Sequence, residues 1–207
     1  MFKGTPELIE RRREEIVDAC EKLYQTKSFW DITLKDISSI TSFSRPTIYN
    51  YFQTKEEIFL ALFKREYLRW NADLATILEN DSRLSKKDLA DQIAKSLAKR
   101  EQLLKLLSMN IYDMETNSRV EQLASFKKAY GQALALVSEL LEKFCPDMSG
   151  ADRHQAVYIF FPFLCGVYPY TQVTDKQAEA MKAAGLHFLS QSIYEIVNNC
   201  LVHLLEA

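Results

Sequence analysis

Apolar residues recur along this chain at steps of three, four and seven, and nowhere do they settle into the alternation of a strand. The first such run predicts a helix over about 6–27, with Ile9, Ile16, Cys20 and Leu23 inward, Thr5 as its cap and Pro6 at the first helical position. The basic run Arg11–Glu15 (RRREE) falls mostly on the wet side and reads as a solvated face. Phe29, Trp30 and Ile32 break the spacing and are expected to plug the end of this helix. Thr33 and Asp36 have the form of a capping box, which predicts a short helix over 34–40 with Leu34, Ile37 and Ile40 inward. TSFS makes a turn, and Ser44 is placed to cap a third helix over 45–51 with Pro46 in its first turn. A second capping box, Thr54 to Glu57, opens a longer helix reaching Leu78, whose apolar face is Ile58, Phe59, Leu62, Phe63, Trp70 and Leu74.

Composition turns polar at ENDSRLSK, residues 79–86, and the domain junction is placed on the helix before it. This gives an N-terminal unit of residues 1–54, with the start of the fourth helix, and a second of residues 55–207. Beyond the junction the spacing predicts helices over 86–99, 101–114, 118–145, 152–171 and 175–205. Ser118 to Glu121 and Thr174 to Gln177 supply further boxes. Nine or so helices with short connections make an all-α, two-part protein.

Composition narrows the classes of function. With 207 residues, 47% hydrophobic, the chain can bury a core. A net charge of -2 means that any contact with nucleic acid comes from a local patch, or from a dimer that pairs two of them. The N-terminus is charged almost at once and does not read as a signal peptide. The apolar stretch 156–170 contains two prolines, is too short to span a bilayer and reads as a buried helix. Four scattered cysteines without a CxxC pair suit a reduced, cytoplasmic setting. His154, His187 and His203 are isolated, so no metal site is expected. No phosphate loop, Ser-His-Asp order or paired acids appear, so neither an enzymatic activity nor a cofactor is implied.

The short helices carry the chemistry. A short second and third helix joined by a four-residue turn match a helix-turn-helix unit. Ile48 and Phe52, four apart, face inward on the third. Arg45, Thr47, Tyr49, Asn50 and Tyr51 are left wholly or partly outward, and Ser44 precedes them on the same hydroxyl-rich face. Lys and Glu usually fill solvated positions, whereas Tyr, Thr and Asn suit base edges, thymine methyls and phosphates. From Phe43 to Lys55 there is no Asp or Glu, as a surface facing phosphate requires.

At these residues the sequence resembles the TetR family of transcriptional regulators, from about Arg11 to Phe63. The strongest part is ITLKDISSITSFSRPTIYNYFQTKEEIFLAL, 32–62. It departs from the family pattern at Ser42, where Gly is common, and at Phe43, where a smaller aliphatic residue is usual. The resemblance implies that Thr33, Lys35 and Lys55 contact phosphate and that Arg45 and Thr47 face the major groove. It also sets Pro46 against a base or sugar, and Tyr49 and Tyr51 on phosphate or bases. It further implies a homodimer on a palindromic operator of double-stranded DNA, and a ligand-binding and dimerisation domain in the second part. The function implied is a ligand-responsive repressor, released by a small apolar or amphipathic effector, with the fourth helix as lever.

Met109, Tyr112, Met114, Phe126, Tyr130, Phe160, Phe163 and Tyr168 supply the apolar, phenolic surface from which an effector pocket could be built. Pro162 is expected to kink its helix nearby. The last helix carries a wide stripe with small residues that includes Met181, Ala184, Phe188, Leu189, Ser192, Ile196 and Cys200. Its apolar width exceeds what one chain's core needs and argues for a dimer interface. The alternative reading is a helical small-molecule or lipid-binding protein of the same fold that does not bind DNA.

Overall fold

In the computed structural model, residues 5–79, 83–109, 111–187 and 190–206 are described. Among them are eleven helices and no strand: α1 (Pro6–Tyr24), α2 (Leu34–Ser39), α3 (Arg45–Ile48), α4 (Lys55–Leu78), α5 (Lys86–Ala98), α6 (Glu101–Leu107), α7 (Ile111–Thr116), α8 (Val120–Phe144), α9 (Gly150–Thr171), α10 (Asp175–Ala183) and α11 (Ile193–Glu206). The all-α class expected from the spacing is what is observed. Two expected helices are each divided. The 101–114 run becomes α6 and α7. The 175–205 run becomes α10 and α11, because the chain turns after Ala183 and Gly185 takes φ 68°, a left-handed conformation that suits glycine and ends α10.

The chain forms two compact units. The first comprises residues 1–65 and 110–129, the second residues 66–109 and 130–207, so the division falls within α4 and within α8. In the first unit, α1 packs on α2 and α2 on α3. Ile16, Cys20, Ile32, Ile37, Ile48, Phe52, Ile58, Phe59, Leu62 and Phe63 are wholly buried there. Thr5 caps α1 through the amide of Leu8, with Pro6 behind it. The Thr33–Asp36 box forms in full. Arg65 ties α4 to α1 by ion pairs to Glu14, Asp18 and Glu21. Two apolar residues depart from expectation. Ile40 is exposed, and Trp30 is 73% exposed with its ring edge-on to Phe29, so Phe29 and Ile32 close the end of α1 without it.

In the second unit, α11 packs against α5 and α9, and α6 against α9. Leu89, Ile93 and Leu97 of α5 meet a core that also holds Leu103, Leu104, Trp70, Leu74, Val197 and Leu201. The indole N–H of Trp70 is buried and donates to Ser96 Oγ at 3.0 Å. Tyr194 donates to Asp91 and fixes the start of α11 on α5. α9 is not the buried helix that its composition suggested. Ala156, Phe160, Phe161, Leu164 and Val167 are buried, while Tyr158, Ile159 and Tyr170 on the same helix are exposed. No single helix among the described residues is long and apolar enough to cross a membrane.

Candidate nucleic-acid interface

The exposed face at α3 is built on a small scaffold. Ser44 was expected to cap α3 with its side chain, but no such bond forms. Its hydroxyl instead shares a 2.9 Å hydrogen bond with the hydroxyl of Thr47, which binds the two polar groups to each other on the surface. Regular helix ends at Ile48, shorter than the expected 45–51, and hydrogen bonds from Asn50, Tyr51 and Phe52 continue the turn. Arg45 donates to the hydroxyl of Tyr49 at 3.2 Å and lies 5.8 Å from its ring. Ser44, Arg45, Pro46, Tyr49 and Asn50 are exposed and Thr47 half-buried, so these six share one accessible patch. Thr33 and Lys35 are exposed at the start of α2, although the Thr33 hydroxyl is engaged with Asp36.

Tyr51 and Lys55 sit differently. Tyr51 is 5% exposed, and its hydroxyl accepts from Arg12 Nη1 at 3.0 Å. The expectation that it points outward is corrected: Ile48, Tyr51 and Phe52 together form the inner side of this segment. Lys55 Nζ donates to the Phe29 carbonyl at 2.7 Å and lies 4.0 Å from the Phe29 ring. Its charge is thus turned toward the loop after α1, and burial pulls its pKa down.

The basic run of α1 supplies what sequence reasoning missed. Arg12 reaches Tyr51 and the Phe43 ring. Arg13 lies 4.3 Å from the centre of the Phe52 ring, donates to the Tyr51 carbonyl at 3.0 Å and to Gln122 Oε1 at 3.0 Å. The solvated reading of RRREE therefore fails for these two, which brace the α3 segment from behind. Their spacing from the apolar face of α1 carried no signal for this, since the hydrogen-bond partners lie 38 to 109 positions away. Glu15, on the same helix, accepts the amide of Ser42 at 2.7 Å, and the Ser42 hydroxyl and amide hold its carboxyl below the usual range. No non-glycine residue among those described has positive φ, so the turn at Ser42 does not require glycine.

A short helix presenting Arg, Thr, Tyr and Asn from a turn after α2 is the arrangement of a helix-turn-helix reader. Residues 16–62 match the family model for bacterial regulatory proteins, tetR family, and residues 64–205 that for the tetracyclin repressor-like, C-terminal domain. The chain belongs to the TetR family. Among solved structures, it is similar to a putative TetR-family transcriptional regulator from Mesorhizobium loti, at 19% identity over 98% of each chain and a TM-score of 0.63. FadR from Bacillus subtilis, in complex with stearoyl-CoA, is 16% identical over 93% of this chain and 97% of its own, with a TM-score of 0.61. The TetR-family transcriptional repressor FadR from Thermus thermophilus, in complex with lauroyl-CoA, is 17% identical over 94% of each chain, with a TM-score of 0.61. At such identities the likeness is one of fold. No curated protein matches the sequence significantly.

Elsewhere in this TetR-family chain, the eight residues expected to supply an effector pocket are divided between the two units. Tyr112, Met114 and Phe126 belong to the first unit, where Tyr112 is exposed and Met114 and Phe126 are core, Phe126 lying 4.8 Å from Phe63. In the second unit Phe160 is core, and Met109 and Tyr168 are half-buried. Tyr130 does line a cavity of about 620 Å³ between α8 and α9, with apolar Leu134, Val157 and Phe161 and polar Ser138, Glu142, Arg153 and His154 also in its wall. Phe163 lines a separate groove of about 310 Å³ with Gly166, Tyr170 and Ile196. Of the stripe assigned to a dimer, Met181 and Ala184 belong to α10 and its end, where no residue is buried. Phe188 and Leu189 lie outside the described residues. Ser192 caps α11 through Glu195, and Ile196 and Cys200 are half-buried on α11.

Proposed function

We propose that this TetR-family chain is a cytoplasmic, sequence-specific DNA-binding regulator without enzymatic activity. It binds a palindromic operator as a homodimer, and a small apolar or amphipathic effector releases it as a repressor is released. The observation that carries the reading is the acid-free, accessible patch Ser44, Arg45, Pro46, Thr47, Tyr49 and Asn50, held from behind by Arg12 and Arg13. A patch with that chemistry and no carboxylate suits a major groove. Thr33 and Lys35 flank it as phosphate contacts. Tyr51 and Lys55 are assigned to its support. The reading head corresponds to residues 1–54 with the start of α4, and residues 55–207 carry effector binding and dimerisation.

Two features support the dimer and the effector. α9 exposes Tyr158, Ile159, Cys165, Gly166 and Tyr170 on one side, beside half-buried Ile196 and Cys200 of α11. A side chain at Gly166 would meet nothing among the described residues within 4 Å, which leaves room for a helix from a second copy. The cavity between α8 and α9 is lined by both apolar and polar side chains, which suits an amphipathic molecule. Acyl-CoA, the ligand class of the two FadR structures, is one such molecule. The test is selection from random duplexes by the purified protein. A palindromic consensus is expected, and recovery of no preferred sequence at low salt would overturn the reading.

A further inference from the structure

Glu57 is the one wholly buried carboxylate among the described residues, and nothing in the DNA-contacting patch accounts for it. It sits in the first turn of α4. Its Oε1 accepts Arg119 Nε at 2.7 Å and the Arg119 amide at 3.1 Å. Its Oε2 accepts Arg119 Nη2 at 2.8 Å and the backbone amide of Gln53 at 2.8 Å. Burial alone would raise its pKa, but these bonds outweigh it and hold the carboxyl below the usual range. Gln53 lies between α3 and α4. Its neighbour Thr54 donates to the Asn117 carbonyl at 2.9 Å while accepting the Glu57 amide. Arg13 spans the same two segments, from the Tyr51 carbonyl to Gln122. Residues 51, 53 and 54, which join α3 to α4, are therefore all tied to residues 117–122.

Only the carboxylate is buried, the Arg119 side chain being 39% exposed, and a pair with one partner in solvent is a poor device for stability alone. A bidentate guanidinium–carboxylate contact supplies fixed direction and distance instead. We propose that Arg119 is a positioning residue for DNA recognition: through the Glu57 carboxylate it fixes the Gln53 turn, and with it the angle at which α3 is presented. The proposal rests on the DNA-binding reading above. It assigns to residues 117–122, far from α3 in sequence, a share in operator affinity without contact to DNA.

The test uses the full chain, its selected palindromic duplex and a scrambled duplex of the same length. Arg119→Lys keeps the charge and loses the fork. The double variant Glu57→Gln with Arg119→Gln leaves no buried charge unpaired and keeps an acceptor for Gln53, which guards against simple unfolding. Both are expected to melt as folded proteins and to lose about tenfold in operator affinity. The scrambled duplex and the salt slope of binding should stay unchanged, and amide exchange at residues 51–54 should accelerate. A salt slope lower by about one, with equal loss on both duplexes, would make Arg119 a phosphate contact and overturn the proposal. Unchanged operator affinity in both variants would overturn it as well, leaving the pair structural. A wild-type chain that prefers no duplex overturns the parent reading and this one together, whereas a binding wild type with indifferent variants overturns this one alone.

Discussion

Tyr49 and Tyr51 stand two residues apart, one exposed and one buried, and the proposed function gives them opposite duties that a pair of Phe substitutions separates. In Tyr51→Phe the ring stays in place, 6.3 Å from Phe43, while the hydroxyl that accepts from Arg12 at 3.0 Å is lost. A hydrogen bond to a charged group contributes about 1.5–3 kcal/mol when buried. Arg12 is only half-buried and water can replace part of the bond, so about 1 kcal/mol is the expected cost. For a chain of this size that lowers the melting temperature by about 2–4 °C. Operator affinity should fall little, because the hydroxyl is not on the accessible patch. Tyr49 is 44% exposed, and its hydroxyl meets only Arg45 among the bonds observed at the surface. Tyr49→Phe should leave melting within about 0.5 kcal/mol of the parent. Its operator affinity should drop by about 1–3 kcal/mol, if the hydroxyl meets DNA as proposed. Circular dichroism melts and operator titrations at fixed salt read both quantities. Should Tyr51→Phe lose operator affinity as severely as Tyr49→Phe without a change in melting, the division of the two tyrosines into support and reader would be wrong.

Three further outcomes follow from the geometry. The Asp36 carboxyl is lowered to about 2 by the hydroxyl and amide of Thr33, so its stabilisation is fully present above about pH 4 and is lost as pH falls toward 2; Asp36→Ala should therefore melt lower than the parent at pH 7, and a gap that fails to close on acidification would refute the assignment. Ser42→Gly should destabilise by about 0.4–1 kcal/mol through added freedom of the unfolded chain, since the turn there is not left-handed, and a higher melting temperature would show otherwise. Ile159→Arg, on the exposed side of α9, should raise the dimer dissociation constant by about a hundredfold or more in sedimentation while leaving the monomer folded, and an unaltered dimer would place the interface elsewhere.

Local rules were legible where local partners decide the outcome. The α4 face of Ile58, Phe59, Leu62, Phe63, Trp70 and Leu74 is wholly buried as its spacing required, and the Thr5 and Thr33 caps form between residues three apart. The Ser118 box does not form: among the described residues the Ser118 hydroxyl is buried without a partner, and Arg119, just before α8, gives its amide and side chain to Glu57 instead. The Thr54–Glu57 box is half made for the same reason, with the carboxylate taking Gln53 and Arg119 rather than Thr54. The roles of Arg12 and Arg13 were illegible because a helical wheel shows which residues face away from one core, not whether another segment covers them. The residues expected to supply an effector pocket include both core and cavity positions, because large aromatics serve either and composition does not separate the two. The last helix read as continuous because Gly185 carries no mark in the sequence of the left-handed conformation that it adopts.

The inward turn of Arg12, Arg13 and Lys55 bears on how such a protein would move through a genome. Each of these cations is held by neutral groups of Tyr51, Phe52 or Phe29 of its own fold, so it keeps its charge but is fixed in place, and would offer a duplex a field rather than a side chain free to follow the phosphates. On the proposed function, a chain with net charge -2 whose Arg12, Arg13 and Lys55 are fixed in this way would linger briefly on random sequence and owe its residence time to the operator itself. Selectivity would then come as much from weak attraction to the wrong sites as from strong attraction to the right one.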